Sequence, residues 1–328
     1  MLKGAEPFDL PPEALEPREP LLLRGLVRDW PMVRAARTSD ATAMDYLRRF
    51  LSGVTVNAVR LHPRHRGRVF YNDELTGFNF EASRLGLDAV LDELQAMARD
   101  PDPATLYVGS TTIDTSLPGF RSENDLAFGD CRPLASIWLG NRSRVAAHFD
   151  LPDNIACCVA GDRRFTLFPP DQVANLYPGP IDYTPAGQTV SMVDLLEPDL
   201  ERFPRFAAAL EQAQVAELEP GDALVIPSLW WHHVEARGRF NVLVNYWWRR
   251  SPDYMDPPAN VLDYALLALR DLPAEQRAAW HELFRYYVFE FEPGRVEHLP
   301  AERRGVLDPL DEAKARRLRA QVRNRLSR

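Results

Sequence analysis

From Leu106 to Trp248 the chain is a series of short apolar runs broken by Gly, Pro, Asn and Asp. L-Y-V-G-S, S-I-W-L-G, V-A-A-H-F-D, N-I-A-C-C-V-A and R-R-F-T-L-F-P come first. P-G-D-A-L-V-I-P, W-W-H-H-V-E-A and F-N-V-L-V-N-Y-W-W follow a Pro/Tyr-rich loop around Leu176 to Tyr183 and a polar insertion containing E-R-F-P-R-F. Runs of this length with turn signals at such intervals predict a β-sandwich or barrel, and a jelly roll is the variety that best holds a metal in its mouth. Gly161-Asp162, between two of the runs, predicts a β-hairpin.

The flanks read differently. Residues 1–105 are expected to be a strand and helix elaboration of the barrel. A proline-rich extended lead-in covers about residues 1 to 20, followed by a strand over Leu21 to Val27. A helix is expected from Ser39 as N-cap to Leu51, with Met44, Leu47, Phe50 and Leu51 on one side, ended by Gly53. Strands over Val54 to Val59 and Val69 to Tyr71 enclose the basic segment R-L-H-P-R-H-R-G-R, whose His62 and His65 are expected on an exposed tip. A second helix is expected from Leu87 to Arg99. Residues 106–250 form the barrel, and 251–328 read as helical. There, one apolar stripe runs through Val261, Leu262, Ala265, Leu266 and Leu269, and a heavier aromatic one through Trp280, Leu283, Phe284, Tyr287, Val288 and Phe291. Such a stripe needs a large apolar partner, either the barrel wall or a second copy of the chain, and a homodimer through these helices is the expectation. The tail from Ala313 to Arg328 is an Arg-rich amphipathic helix.

With 328 residues and 45% hydrophobic content the chain can bury a large core. The formal charge of −8 argues against nucleic acid or an anionic membrane as a bulk partner. The odd count of three cysteines, two of them adjacent, suits a reducing compartment, and a cytoplasmic location is expected. No apolar run approaches the roughly 20 residues of a membrane span.

The chemistry concentrates in H-F-D. Side chains at i and i+2 of a strand share a face, so His148 and Asp150 present an imidazole and a carboxylate together. They are two members of the 2-His-1-carboxylate triad that holds Fe(II) with open positions. His232 is the candidate third ligand, although alternation alone does not decide between it and His233. The same reasoning puts His148, Asp150, Asn154, Arg163, His232 and Asn245 on interior faces. A buried guanidinium cannot discharge itself and must meet an anion. That anion is either Asp162 or Asp182, in a structural pair, or the distal carboxylate of a 2-oxo diacid.

Taken together, H-F-D-L-P-D-N, F-P-P-D-Q, L-Y-P, E-R-F-P, P-G-D-A-L-V-I-P, W-W-H-H-V-E and V-N-Y-W-W resemble the JmjC-type cupin-like 2-oxoglutarate dioxygenases, the asparaginyl hydroxylases among them. The resemblance covers Leu106 to Trp248 and, more weakly, Pro20 to Trp30. It implies a double-stranded β-helix and the first His after the double Trp, His232, as ligand. It also implies Tyr107, Asn154, Arg163, Asn245 and Trp247 around the co-substrate. Two departures stand out: Arg163 occupies a position where the family has Lys, and Val145 replaces a co-substrate threonine.

The expected function is therefore an Fe(II)- and 2-oxoglutarate-dependent hydroxylase, an oxidoreductase using O2. His148, Asp150 and His232 would bind iron, and the substrate would be a protein side chain or a small molecule. The alternative is a metal-binding cupin of another class, either a co-substrate-independent oxygenase or a non-catalytic ligand-binding module. A third reading, an interaction scaffold using the C-terminal helices, gains weight only without metal.

Overall fold

The computed structural model describes residues 10–185 and 187–327. It divides into two compact units, Met1–Arg250 and Ser251–Arg328. The first nine residues of the expected lead-in lie outside the described part.

In the first unit the N-terminal strands are β1 (Leu21–Leu23), β2 (Thr55–Leu61), β3 (Arg68–Val69), β4 (Glu81–Gly86) and β5 (Thr105–Thr112). They are followed by β6 (Leu134–Gly140), β7 (Ser143–Phe149), β8 (Asp153–Ala160) and β9 (Arg163–Phe168). The last four are β10 (Gln214–Leu218), β11 (Ala223–Ile226), β12 (Trp231–Ala236) and β13 (Asn241–Trp248). The large sheet has the order β1-β11-β8-β13-β6-β5-β2-β4, and the small sheet the order β10-β9-β12-β7-β3. This is a mainly β jelly roll with flanking helices, as the turn spacing requires.

The expected hairpin at Gly161-Asp162 does not form. β8 pairs with β11 and β13, and β9 pairs with β10 and β12, so the turn hands the chain from one sheet to the other. A short glycine turn signals a reversal, but not whether the two strands it joins pair. Here Gly161 has φ +70, and a Cβ on it would lie 2.3 Å from Oδ1 of Asn241 and 2.6 Å from the carbonyl of Phe240. Only glycine fits that conformation in that space.

Two apolar layers result from strand alternation. Ala156, Cys158, Phe165, Leu167, Leu224 and Leu243 fill the space between the sheets. Ile155, Cys157, Val159, Ile137 and Val244 face the other way, into the larger core that includes Trp30, Met32, Leu47 and Leu91. β8 is therefore buried on both faces. The covering helices are Pro31–Thr38, Asp40–Arg48 and Leu87–Met97. Ser39 caps the second of these as expected, its Oγ accepting the amide of Thr42 at 3.1 Å. The Pro31–Thr38 helix is absent from the sequence reading; Pro31 starts it, at a position where its missing N–H costs nothing. β1 is shorter than expected, and the lead-in contains one helical turn, Pro12–Leu15.

The second unit contains helices Pro258–Ala268, Ala274–Phe284 and Glu312–Leu326, with a π-turn over Arg285–Phe289. Oδ1 of Asp311 caps the last helix by accepting the amide of Lys314 at 2.7 Å. Arg319 ties that helix to Asp256 at 3.0 Å. No helix of the described residues is long and apolar enough to cross a membrane.

Candidate active site

His148 lies on β7, directly opposite His232 on β12, with ring centroids 4.4 Å apart. Nδ1 of His148 is 2.9 Å from the carbonyl of Ala146, and Nδ1 of His232 is 3.0 Å from that of Trp230. A carbonyl oxygen only accepts, so each Nδ1 carries a proton, and in the neutral ring that leaves the lone pair on Nε2. Burial and the neighbouring His148 pull the pKa of His232 down to about 4 against the opposing pull of Asp150, which keeps that lone pair available at neutral pH.

Asp150 stands one residue beyond the end of β7. Its Oδ2 is 3.8 Å from Nε2 of His232 and accepts a hydrogen bond from Nε1 of Trp247 at 3.2 Å. One ligand atom from each of His148, Asp150 and His232 lies within 4.8 Å of the others. Two imidazoles and one carboxylate, each with a fixed orientation, fit a divalent first-row metal with open positions.

The triad opens into a cavity of about 360 Å³ between the sheets. Tyr107, Asn154, Arg163, Asn245 and Trp247 line it together with the triad, and so does Val145. Arg163 begins β9 and is 5% exposed. Neither Asp162 nor Asp182 pairs with it; it makes no ion pair among the described residues, and its Nε has no hydrogen-bond partner. Burial lowers its pKa, offset in part by Cys158 and Tyr107. Such a charge inside a protein calls for an anion. Nδ2 of Asn245 donates to Oδ1 of Asn154 at 2.6 Å, and Oδ1 of Asn245 is buried without a partner among the described residues. Burial raises the pKa of the Tyr107 hydroxyl, so Tyr107 is a neutral donor beside Arg163.

The adjacent histidines lie on opposite faces of β12, and His232 is the one that lines the cavity. His233 points away from the cavity, with Nδ1 3.9 Å from Oε1 of Glu235, and burial together with Arg144 pulls its pKa down to about 3. Sequence reasoning missed Trp138, whose ring lines the cavity between Tyr107, 6.2 Å away, and Trp247, 6.0 Å away. Alternation along S-I-W-L-G would have found it, since Ile137 and Leu139 face the outer core. It also missed Asn57, Val59 and Gln188, which reach the cavity from an N-terminal strand and a loop with no readable pattern.

The chain is 33% identical over 190 residues to the lysine-specific demethylase JMJ31 of Arabidopsis thaliana, covering 52% of this chain and 34% of that protein. It is 33% identical over 123 residues to human HSPB1-associated protein 1, covering 37% of this chain and 25% of the relative. The chain thus spans about a third or less of those two relatives. Against the human bifunctional peptidase and (3S)-lysyl hydroxylase JMJD7 it is 26% identical over 284 residues, 75% of this chain and 84% of the relative. The ribosomal oxygenase YcfD of Escherichia coli superposes with a TM-score of 0.38 at 18% identity, covering 81% of this chain and 61% of that one. The profile described as a cupin-like domain matches residues 8–254, most of the chain and all of the barrel. The chain belongs to that family, the cupin-like proteins of JmjC type.

Proposed function

We propose that the protein is an Fe(II)- and 2-oxoglutarate-dependent hydroxylase. One observation carries the reading: the three donor atoms share a single cavity with Arg163, a buried guanidinium with no carboxylate partner among the described residues. The site is thus furnished for a cation and, separately, for a dianion able to reach it.

His148, Asp150 and His232 would hold the metal. The carbonyls of Ala146 and Trp230 fix the imidazole tautomers, and the indole N–H of Trp247 orients Asp150. Arg163 would receive the far carboxylate of 2-oxoglutarate, aided by the hydroxyl of Tyr107. The Asn154–Asn245 pair leaves one acceptor, Oδ1 of Asn245, facing no donor among the described residues. Val145, Phe165 and Leu243 supply apolar wall, which strengthens the charge interactions inside. When bound, iron with its co-substrate would couple the oxidative decarboxylation of 2-oxoglutarate to hydroxylation of a substrate C–H bond by O2.

Names among the relatives, a lysyl hydroxylase and a lysine-specific demethylase, favour a protein side chain over a small molecule as the substrate. The helices Pro258–Ala268 and Ala274–Phe284 carry no buried residue and expose Leu267, Trp280 and Leu283, which supports a homodimer through this region. Three free cysteines support the reducing cytoplasm as its location.

Thermal unfolding under anaerobic conditions with Mn(II), with and without 2-oxoglutarate, tests the assignment. Stabilisation by 2-oxoglutarate that depends on metal and disappears in His148→Ala is expected, together with succinate release by the iron-loaded protein. Metal binding without any response to 2-oxoglutarate would leave a metal-binding cupin of another class. Light scattering tests the dimer, and a monomer at micromolar concentration removes it.

A further inference from the structure

Two basic motifs that the barrel chemistry leaves unused meet on the outer face of the small sheet. The segment around Arg64 to Arg68 forms one side of a depression of about 480 Å³, and Arg202 of E-R-F-P another. Their separation in sequence hides this, and the segment expected as a bare exposed tip is a wall. β3 and β7 arrange it by alternation: Val69 and Val145 line the barrel cavity, while Arg68 and Arg144 line the depression.

Among the described residues, five guanidinium groups, from Arg64, Arg66, Arg68, Arg144 and Arg202, face three carboxylates, those of Asp73, Asp194 and Glu197. Asp194 is shared, 2.8 Å from Arg144 and 3.5 Å from Arg68. Burial alone would raise its pKa, but Arg68, the amide of Leu196 and Arg144 together hold it below the usual range, so it stays a single charge between two cations. Glu197 pairs with Arg66 at 2.5 Å. Arg64 and Arg202 make no ion pair among the described residues. Arg68 is partly buried with its guanidinium 3.7 Å above the ring of Phe70, and burial lowers its pKa. Positive charge is in excess in a concave, partly desolvated space, where it is screened less than on an open surface.

We propose that this depression binds a compact multivalent oxyanion, a small phosphate ester or polycarboxylate, held by Arg64 and Arg202 across the mouth and Arg68 at the base. Planar forked guanidinium groups suit such oxygens better than ammonium groups do. The volume lies in the range of small-molecule sites, roughly 300 to 1,000 Å³. The proposal needs neither metal nor 2-oxoglutarate and stands or falls apart from the proposed activity.

The test is calorimetric titration of the metal-free full chain with pyrophosphate and with citrate at physiological salt, alongside thermal unfolding. Wild type is compared with Arg64→Glu/Arg202→Glu. Both side chains are exposed, so the fold should tolerate the change. The expected result is saturable binding of at least one anion, weakened about tenfold or more in the double variant through loss of two charge-assisted contacts. A charge-matched control, Arg34→Glu/Arg316→Glu, should bind as wild type does. Preference for pyrophosphate or for citrate identifies the headgroup. No binding of either anion at millimolar concentration, equal binding by the double variant, or equal loss in the control overturns the proposal. So does a response to a short RNA with none to either small anion.

Discussion

Oδ2 of Asp150 takes the indole N–H of Trp247 at 3.2 Å while lying 3.8 Å from Nε2 of His232. One oxygen is thus oriented by β13 and faces a ligand on β12, joining the two sheets at the point where a metal would sit. Trp247→Phe keeps most of the ring and deletes the donor. Metal affinity should fall about 10- to 100-fold, the usual effect of removing a group that orients a ligand. Titration with Mn(II) followed by electron paramagnetic resonance measures this, and unchanged affinity would show that Asp150 needs no such support.

Arg163→Met should separate stability from binding. An uncompensated buried charge is costly, and replacing it with an apolar chain of similar length should stabilise the ligand-free protein by about 1 to 4 kcal/mol. The same change should abolish any stabilisation by 2-oxoglutarate. Chemical denaturation with and without the diacid reads both effects. A less stable variant would mean that the guanidinium has a protein partner.

Acid should weaken the metal-free fold. His232 and His233 have folded-state pKa values of about 4 and about 3, below the roughly 6.5 of an unfolded histidine. Between these values the unfolded chain binds more protons, so the stabilisation is intact above pH 6.5 and declines as the pH falls toward 4. Each histidine contributes a slope of about 1.4 kcal/mol per pH unit in that window. His233→Asn should remove one proton's share of the slope, as measured by urea midpoints from pH 7 to 4.5. An unaltered slope refutes a neutral buried His233.

The two aspartates of H-F-D-L-P-D-N should fail differently. Asp153 is 2% exposed, receives Nε of Arg250 at 2.7 Å and accepts the amide of Ser228 at 2.9 Å. Asp153→Ala should cost about 3 kcal/mol or more by leaving those donors unpaired. Asp150→Ala should leave the melting temperature nearly unchanged and eliminate metal binding. Equal thermal losses in both would contradict the separation.

These cases show which parts of the protein are legible in sequence. Period-two alternation located Arg163 and Asn154 because each stands in an uninterrupted strand, Arg163 sharing its face with Phe165 and Leu167, and Asn154 standing opposite the apolar Ile155, Cys157 and Val159. It could not separate His232 from His233, since both are buried in the fold. Nor could it foresee that β8 and β9 belong to different sheets, because pairing depends on which strands compete for each edge. The Arg64–Arg202 meeting was invisible for a similar reason: it is made by tertiary topology, with no local signal in either segment.

β12 separates two environments with a partition one strand thick: His232 looks into the cavity and His233 into the buried space on the other face, beside Arg144. Its pairing with β7 is irregular between His232 and Val234. A slip of one residue there would exchange the imidazoles, and a nascent chain in that wrong alignment would still hold a nitrogen toward the triad. Metal capture therefore cannot proofread this strand during folding. Discrimination falls to its aromatic neighbours, because the slip would also drive Trp231, seated against Phe149 at 4.9 Å, out of its niche.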